Sequence, residues 1–334
     1  MKQRRLGRSD LYVSELCLDT SHFGWRVDEA TSHALLDRFR GAGGTFLQTW
    51  GAASDDTAVS ERFIGRWIQS RKVPRGEIIV ACCCDIADDL GPSDVFRTTS
   101  VLRSRCEHTL RELNARYLDL LMVQWSDKLA MDEVLLAAET LVRAGLIRHF
   151  AVRDFPAWRV MEWLGHSARR NLCHIEAMQV ELSLLTNAAL NLESMALARA
   201  QRVGIVARAP LAGGLLAKRV HDIDTQDSRA IETINLLGHV ASVHGVSPAK
   251  AAVSWVLAHA DVSSVLVGPH TEAQLQDHCA ATSLGLTFSD LGRLDGQWKR
   301  SLPLSCDDAD EPEDATDPAF RGVGVPEAAE AVTP

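Results

Sequence analysis

Long apolar runs are missing from this 334-residue chain. No stretch approaches the roughly 18 consecutive apolar residues that a membrane-spanning helix needs, so we expect no membrane partner. The residues from Met1 to Gly7 carry charge and then polar groups, and they show no apolar segment typical of a secretory signal. No Cys-x-x-Cys spacing occurs, and three of the eight cysteines stand in a row at Cys82–Cys84. We therefore expect a cytoplasmic protein with neither a disulfide framework nor a metal site.

An excess of positive charge is also missing. The chain has 35 lysines and arginines against 44 aspartates and glutamates, a formal charge of −9. Nine acidic residues and one arginine lie between Ser301 and Pro334, so this segment carries −8 of that charge. The nearly neutral body offers no field for phosphate groups, which excludes nucleic acid as a partner. We expect residues 301–334 to form a disordered acidic tail behind one domain over residues 1–300.

Short apolar runs alternate with stretches of helical period between about residues 15 and 280. This alternation predicts βα units and a parallel sheet, and eight such units in a chain of this length predict a (β/α)8 TIM barrel. A hairpin is expected around residues 3–13, where it would plug the N-terminal mouth of the barrel. The runs lie at 15–19, 45–49, 77–82, 118–124, 147–152, 174–179, 204–208 and 262–267.

Polar, aromatic or thiol side chains stand at the predicted strand ends, where barrels of this class place their working residues. The predicted ligand-binding residues are Gln48, Trp50, Cys83, Gln124, Trp125 and Gln179. Because strand residues alternate in direction, Cys83 should face the barrel interior while Cys82 and Cys84 face the helices. We expect the two tryptophans to wall a pocket and Arg153 and Arg208 to anchor an acidic small molecule in it.

Seven motifs, in this order along the chain, resemble the aldo-keto reductase family. They are RLGRSDLYVSEL at 5–16, FGW at 23–25, AGGTF at 42–46, RYLDL at 116–120, RAGLIR at 143–148, PLAGGLL at 210–216 and VGPHTEAQL at 267–275. The resemblance runs from residue 3 to about residue 300. It implies the barrel fold, NADPH binding and carbonyl reduction by four residues. In the family a Tyr donates the proton, a Lys–Asp pair lowers its pKa, and a His orients the carbonyl.

The four positions that carry this chemistry in the family hold other residues here. The family's Asp corresponds to Gln48, its Tyr to Ala53, its Lys to Cys83 and its His to Gln124. No proton donor of suitable pKa then remains at the carbon that accepts the hydride. The resemblance therefore implies a divergent member that lacks the catalytic tetrad.

The positions that hold the cofactor in the family are altered as well. The pair that binds the nicotinamide carboxamide is Arg153–Asp154, although its third partner Gln179 is kept. The ring-stacking Tyr is Arg208, and Asp19 stands where a glycine lets the dinucleotide pass. We therefore expect no NADPH binding, or only a vestige of it. The residues that would carry such a vestige are Leu211, Gly213, Gly214, Gly268, His270, Gln274 and Asp277.

Three functions stay open from the sequence. The first is a non-redox biosynthetic enzyme that cyclises, dehydrates or isomerises a small carbonyl or polyketide-like metabolite. In it Asp19 or Asp154 would be the base, His22 a proton shuttle, and Arg153 or Arg208 the oxyanion stabiliser. The second is a non-catalytic pseudo-reductase, alone, as a homo-oligomer or with a partner enzyme. The third is an NADPH-dependent oxidoreductase whose proton donor has moved, for example to Cys83 or His22.

Overall fold

Eight parallel strands form a closed barrel in the computed structural model. The structure describes residues 1–51, 58–90, 94–218 and 227–301, so the predicted tail from 302 onward and Ala53 lie outside the described residues. Each barrel strand pairs with the next along the chain, and the last pairs with the first. The strands are β3 (Leu16–Asp19), β4 (Phe46–Trp50), β5 (Ile79–Cys84), β6 (Leu118–Gln124), β7 (Ile147–Arg153), β8 (Ile175–Glu181), β9 (Gly204–Arg208) and β10 (Val262–Val267). The (β/α)8 prediction is confirmed.

Helices surround this barrel. They are α1 (Glu29–Gly41), α2 (Val59–Arg71), α3 (Val95–Leu113), α4 (Met131–Arg143), α5 (Ala157–Arg170), α6 (Ala188–Gln201), α7 (Ser228–Val243), α8 (Pro248–Ala258), α9 (Glu272–Ala281) and α10 (Phe288–Lys299). Polar side chains such as Asp28 and Ser247 cap helix starts by accepting backbone N–H groups, and left-handed residues such as Asn114 and Asn171 end helices. Residues Met1–Ser301 form one compact unit.

The N-terminal hairpin fills one mouth of the barrel. Its strands β1 (Gln3–Arg5) and β2 (Tyr12–Ser14) pair antiparallel. The hairpin side chains Leu6, Leu11 and Val13 are buried in one cluster with residues of the barrel interior. At the turn, Gly7 has a φ of +60°, and a Cβ atom there would lie 2.2 Å from the backbone oxygen of Glu176. Glu176 is the second residue of β8, so the close approach of Gly7 to it places the hairpin at the N-terminal mouth, as predicted.

The three consecutive cysteines alternate between the two sides of β5. Cys83 belongs to the interior cluster, whereas the Cys82 sulfur lies 3.7 Å from the Thr109 hydroxyl on α3 and 3.7 Å from the Cys84 sulfur. The predicted directions of all three side chains are therefore confirmed. Within the described ranges, no group of three or more His, Cys, Asp or Glu residues is placed to hold a metal ion. None of the helices in those ranges is long and apolar enough to span a membrane.

Candidate functional site

A cleft of about 450 Å³ opens at the carboxyl ends of the barrel strands. Four of the predicted catalytic residues line it, namely Asp19, His22, Arg153 and Arg208. So do all seven residues predicted to hold a cofactor remnant: Leu211, Gly213, Gly214, Gly268, His270, Gln274 and Asp277. The fold therefore brings the two predicted groups into one space.

Asp154, the fifth predicted catalytic residue, lies at the centre of a charged cluster beside this cleft. The Arg208 Nε atom donates a hydrogen bond to its Oδ1 atom at 2.8 Å. Its Oδ2 atom accepts from Gln124 at 3.3 Å and from the Arg153 Nε atom at 3.4 Å. Arg208 also reaches Glu181 at 2.9 Å. Both oxygens of the Asp154 carboxylate are thus already used within the protein. We call Arg153, Asp154, Glu181 and Arg208 the rim cluster.

The backbone explains why the rim cluster forms here. Asp154 directly follows β7 and has a φ of +57°, a left-handed conformation that aspartate tolerates better than most residues. Its N–H donates to the backbone oxygen of Gln179 on the neighbouring strand at 2.9 Å. Glu181 and Arg208 end the adjacent strands β8 and β9, where they are register partners. Parallel neighbours therefore deliver all four charged groups to one edge of the barrel.

Two amide side chains close on each other deep in the barrel. Gln179 Nε2 donates to Gln48 Oε1 at 2.6 Å, and Gln48 Nε2 lies 3.5 Å from Gln179 Oε1. Both side chains are buried, and they come from strands β8 and β4. The carbonyl of each amide is thus occupied by its neighbour. A ligand that binds the Gln179 amide must therefore share that group with Gln48 or displace it.

Arg153 also connects the rim to Cys83 and Trp50. Its Nη1 atom lies 3.8 Å from the Cys83 sulfur, and its guanidinium carbon lies 4.6 Å from the centre of the Trp50 ring. Burial raises the pKa of the Cys83 thiol to about 12, although Arg153 opposes this shift. The thiol therefore keeps its proton at neutral pH and is a poor nucleophile and a poor acid.

His22 and His270 contact each other in the lining of the cleft. Their rings form an edge-to-face pair with centres 4.6 Å apart. In the described part of the chain, neither His22 Nδ1 nor His270 Nε2 has a hydrogen-bond partner. Burial lowers the pKa of His270, and nearby His22 and Arg26 lower it further. Asp19 is close by, and its Oδ1 atom accepts the backbone N–H of Ser21 at 2.9 Å.

Two charged or titratable residues that line the cleft were missed by the sequence analysis. Arg26 lies in the loop after β3 and stacks on the Trp25 ring at 4.3 Å, and no pattern in that loop points to it. His278 lies on α9, is 6% exposed, and has its pKa lowered by burial. It follows Gln274 by four residues, so the helical spacing around Gln274 is the signal that would have found it.

The predicted ligand-binding side chains occupy different surroundings. Gln48, Gln179 and Cys83 are buried in the interior, and the Trp50 ring contacts the Arg153 guanidinium of the rim cluster. Trp125 packs edge to face against Phe155, with ring centres 4.8 Å apart. None of these five side chains, nor Gln124, is among the described residues that line the cleft. Whether they contact a ligand stays a prediction.

Comparison with known proteins finds one matching family model and several similar proteins. The model of the aldo/keto reductase family matches residues 15–299. The chain is 28% identical over 306 residues to an uncharacterized oxidoreductase, YrpG, of Bacillus subtilis, covering 86% of this chain and 92% of the relative. It is 28% identical over 300 residues to norsolorinic acid reductase stcV of Emericella nidulans, covering 83% and 76%. It is 26% identical over 346 residues to the aldo-keto reductase AMT2 of Alternaria alternata, covering 90% and 92%.

Proposed function

Since this chain belongs to the aldo-keto reductase family, we propose that it uses the family's barrel mouth for acid–base chemistry without hydride transfer. The ligand would be a small carbonyl compound with acidic oxygen atoms. The observation that carries this proposal is the rim cluster, with Asp154 held between Arg208 at 2.8 Å and Arg153 at 3.4 Å. Three of its residues, Arg153, Asp154 and Arg208, occupy positions that the resemblance assigns to the nicotinamide contacts.

The residues at this end of the cleft do not fit a nicotinamide. The Gln179 amide is bonded to Gln48 at 2.6 Å instead of being free for a carboxamide. Arg208 is tied to Asp154 and Glu181 where an aromatic ring would stack. A guanidinium there also repels the oxidised nicotinamide ring, which is itself cationic. The proposed mechanism therefore does not use this cofactor.

The groups at the expected tetrad positions support a loss of carbonyl reduction. Gln48 and Gln124 are neutral amides, which do not donate or accept a proton near pH 7. The Cys83 thiol, with a pKa raised to about 12, is a poor proton donor at that pH. The fourth position, Ala53, lies outside the described residues. A reductase that has moved its proton donor to Cys83 is accordingly disfavoured.

The proposed mechanism uses the chain's own charged groups in the cleft. Arg153 and Arg208 would bind carboxylate or enolate oxygens through charge-assisted hydrogen bonds. Asp154 has both oxygens occupied, so the base is Asp19, whose Oδ1 alone accepts a backbone N–H. Asp19 would take a proton from the carbon next to the carbonyl, and the bonding electrons would move to the carbonyl oxygen. The arginines then stabilise the enolate, and His22 relays the proton to its final position.

A second function is favoured by the completeness of the rim cluster. Each of its four charged groups already has a partner of opposite charge within the protein. Such a network stabilises a fold without any ligand, and ion pairs of this kind also fill clefts that have no catalytic role. A non-catalytic pseudo-reductase is therefore the second candidate.

Cofactor binding and proton exchange test these functions together. We expect NADPH and NADH titrations, followed by tryptophan fluorescence, to show no tight binding. We expect the protein to speed the exchange of pyruvate methyl protons with D₂O, measured by NMR, and Asp19→Asn to abolish this gain. Exchange equal to the protein-free rate would favour the pseudo-reductase. NADPH oxidation that depends on an aldehyde and exceeds the rate of Cys83→Ala and His22→Ala would refute both candidates.

Restoring the family residues is expected to rescue little reductase activity. The combined variant carries Gln48→Asp, Ala53→Tyr, Cys83→Lys and Gln124→His. The rim cluster would still occupy the nicotinamide contacts, so hydride and carbonyl would not be held in line. Aldehyde-dependent NADPH oxidation is the measurement, and a rate typical of a working reductase in this variant would show that the rim cluster does not block the cofactor.

A further inference from the structure

We infer that the ligand of this mouth carries a bulky aromatic group, which lies in a groove between α5 and α6. The inference rests on the proposed function, because it extends the same acidic ligand beyond the cleft. The α5–α6 groove has a volume of about 590 Å³. Arg208 lines both the groove and the cleft, so this side chain lies at the border of the two spaces.

Large apolar side chains face this groove from both helices. Trp158 on α5 is 56% exposed and Leu190 on α6 is 63% exposed, and both line the groove. Single exposed apolar residues are ordinary on protein surfaces, but two that face one concave space form a patch suited to an apolar group. The Arg159 guanidinium stacks on the Trp158 ring at 4.2 Å. The aromatic wall is therefore held in place before a ligand arrives.

A buried aromatic stack supports the groove from behind. Phe155 lines the groove and is 4% exposed. Its ring packs edge to face against the rings of both Trp125 and Trp163, and the ring centres lie 4.8 Å apart in each pair. Edge-to-face contacts of this length stabilise the arrangement of aromatic rings. A rigid apolar wall binds a planar group at a lower entropic cost than a mobile one would.

The charges of the groove determine which end of the ligand it accepts. Asp154 and Glu181 line it next to the cleft, and Arg208 contacts both, at 2.8 and 2.9 Å. A third carboxylate, Glu193, lies on the exposed part of α6. No lysine is among the described lining residues, and Arg208 is the only arginine. An anionic group is therefore disfavoured in the groove and belongs in the cleft, which leaves the groove to the neutral ring.

Two acids that differ by one ring test this arrangement. The probes are butanoate and 4-phenylbutanoate, titrated by NMR against the full-length protein. Burial of a phenyl ring is expected to strengthen binding about tenfold or more. The double variant Trp158→Ser with Leu190→Ser should reduce 4-phenylbutanoate affinity to that of butanoate and leave butanoate unchanged. Met161→Ser is the matched control, because Met161 is also on α5, is 46% exposed and does not line the groove.

The outcomes separate this inference from the proposed function. Equal affinities of the two acids for the unaltered protein would overturn the groove assignment and leave the acidic ligand of the cleft in place. If the double variant and Met161→Ser lose equal affinity for 4-phenylbutanoate, the groove assignment is also overturned. Arg208→Gln should weaken both acids, since this side chain lines both spaces. If neither acid binds, the proposed function and the inference are both overturned.

Discussion

Replacing Glu61 by glutamine is expected to flatten the pH dependence of stability between about pH 5 and pH 8. Glu61 lies in the first turn of α2 and is 1% exposed. Its Oε1 atom accepts a hydrogen bond from the Thr49 hydroxyl at 2.7 Å, whereas Oε2 has no partner among the described residues. Burial raises the pKa of this carboxyl from 4.5 to about 7, and the Thr49 hydrogen bond opposes the shift.

Two charged neighbours shift the pKa of Glu61 in opposite directions. Glu112 on α3 raises its pKa and Arg62 lowers it, and these two side chains lie 3.6 Å apart. Folded Glu61 keeps its proton at pH values where the unfolded chain has released it. The free energy of unfolding therefore falls as the pH rises from about 4.5 through 7. Above pH 7 the ionised Glu61 lowers it by its full amount, about 3 kcal/mol. Between pH 5 and pH 8 the loss is about 2.5 kcal/mol.

Urea unfolding at several pH values measures this effect. Glu61→Gln removes the titrating group, while the new amide oxygen still accepts the Thr49 hydrogen bond. The free energy of unfolding of the variant, relative to the unaltered protein, should therefore rise by about 2.5 kcal/mol from pH 5 to pH 8. The control is Glu107→Gln on α3, whose side chain is 53% exposed and which should show no such trend. Parallel curves for Glu61→Gln and the unaltered protein would refute the assigned pKa.

Two further predictions concern the rim and the hairpin. Asp154→Asn keeps a residue that tolerates the φ of +57° but removes the charge between the two arginines, so urea unfolding should show a loss of about 1–3 kcal/mol. An unchanged free energy would mean that the rim cluster contributes nothing to folding. Gly7→Ala should destabilise the protein by about 2 kcal/mol or more, because its Cβ would lie 2.2 Å from the Glu176 oxygen at a φ of +60°. Gly238→Ala on α7, where a Cβ meets open space, should instead stabilise it by about 0.5–1 kcal/mol, and thermal melts that reverse this order would contradict the hairpin packing.

The fold could be predicted because its signals are local. The length of a buried strand can be read from a short apolar run in the sequence. Successive side chains of a strand point to opposite faces of the sheet, which follows from the backbone alone. Cys82, Cys83 and Cys84 illustrate this, since their sides follow from position within one strand. Glycine or asparagine after a helical period marks the ends of helices in the same local way.

The contacts of the site could not be predicted, because they join residues that are distant in sequence. Arg208 and Asp154 are 54 residues apart, and Gln48 and Gln179 are 131 apart. The pattern places each of them at a strand end but does not determine the rotamer that joins them. Trp125 shows the same limit. Its place directly after a strand was predicted correctly, but the direction of its ring depends on a contact with Phe155 in the loop after β7.

The hairpin contacts have a consequence for the order of events during synthesis. The Arg4 side chain donates to the backbone oxygen of Val262 at 2.7 Å, across 258 residues of chain. At typical rates of translation, roughly 10–50 s pass between the synthesis of these two residues. During that time Leu6, Leu11 and Val13 lack the completed barrel interior in which they are later buried. The segment made first is thus among the last to reach its partners, and the nascent chain exposes its apolar side chains to chaperones until β10 has left the ribosome.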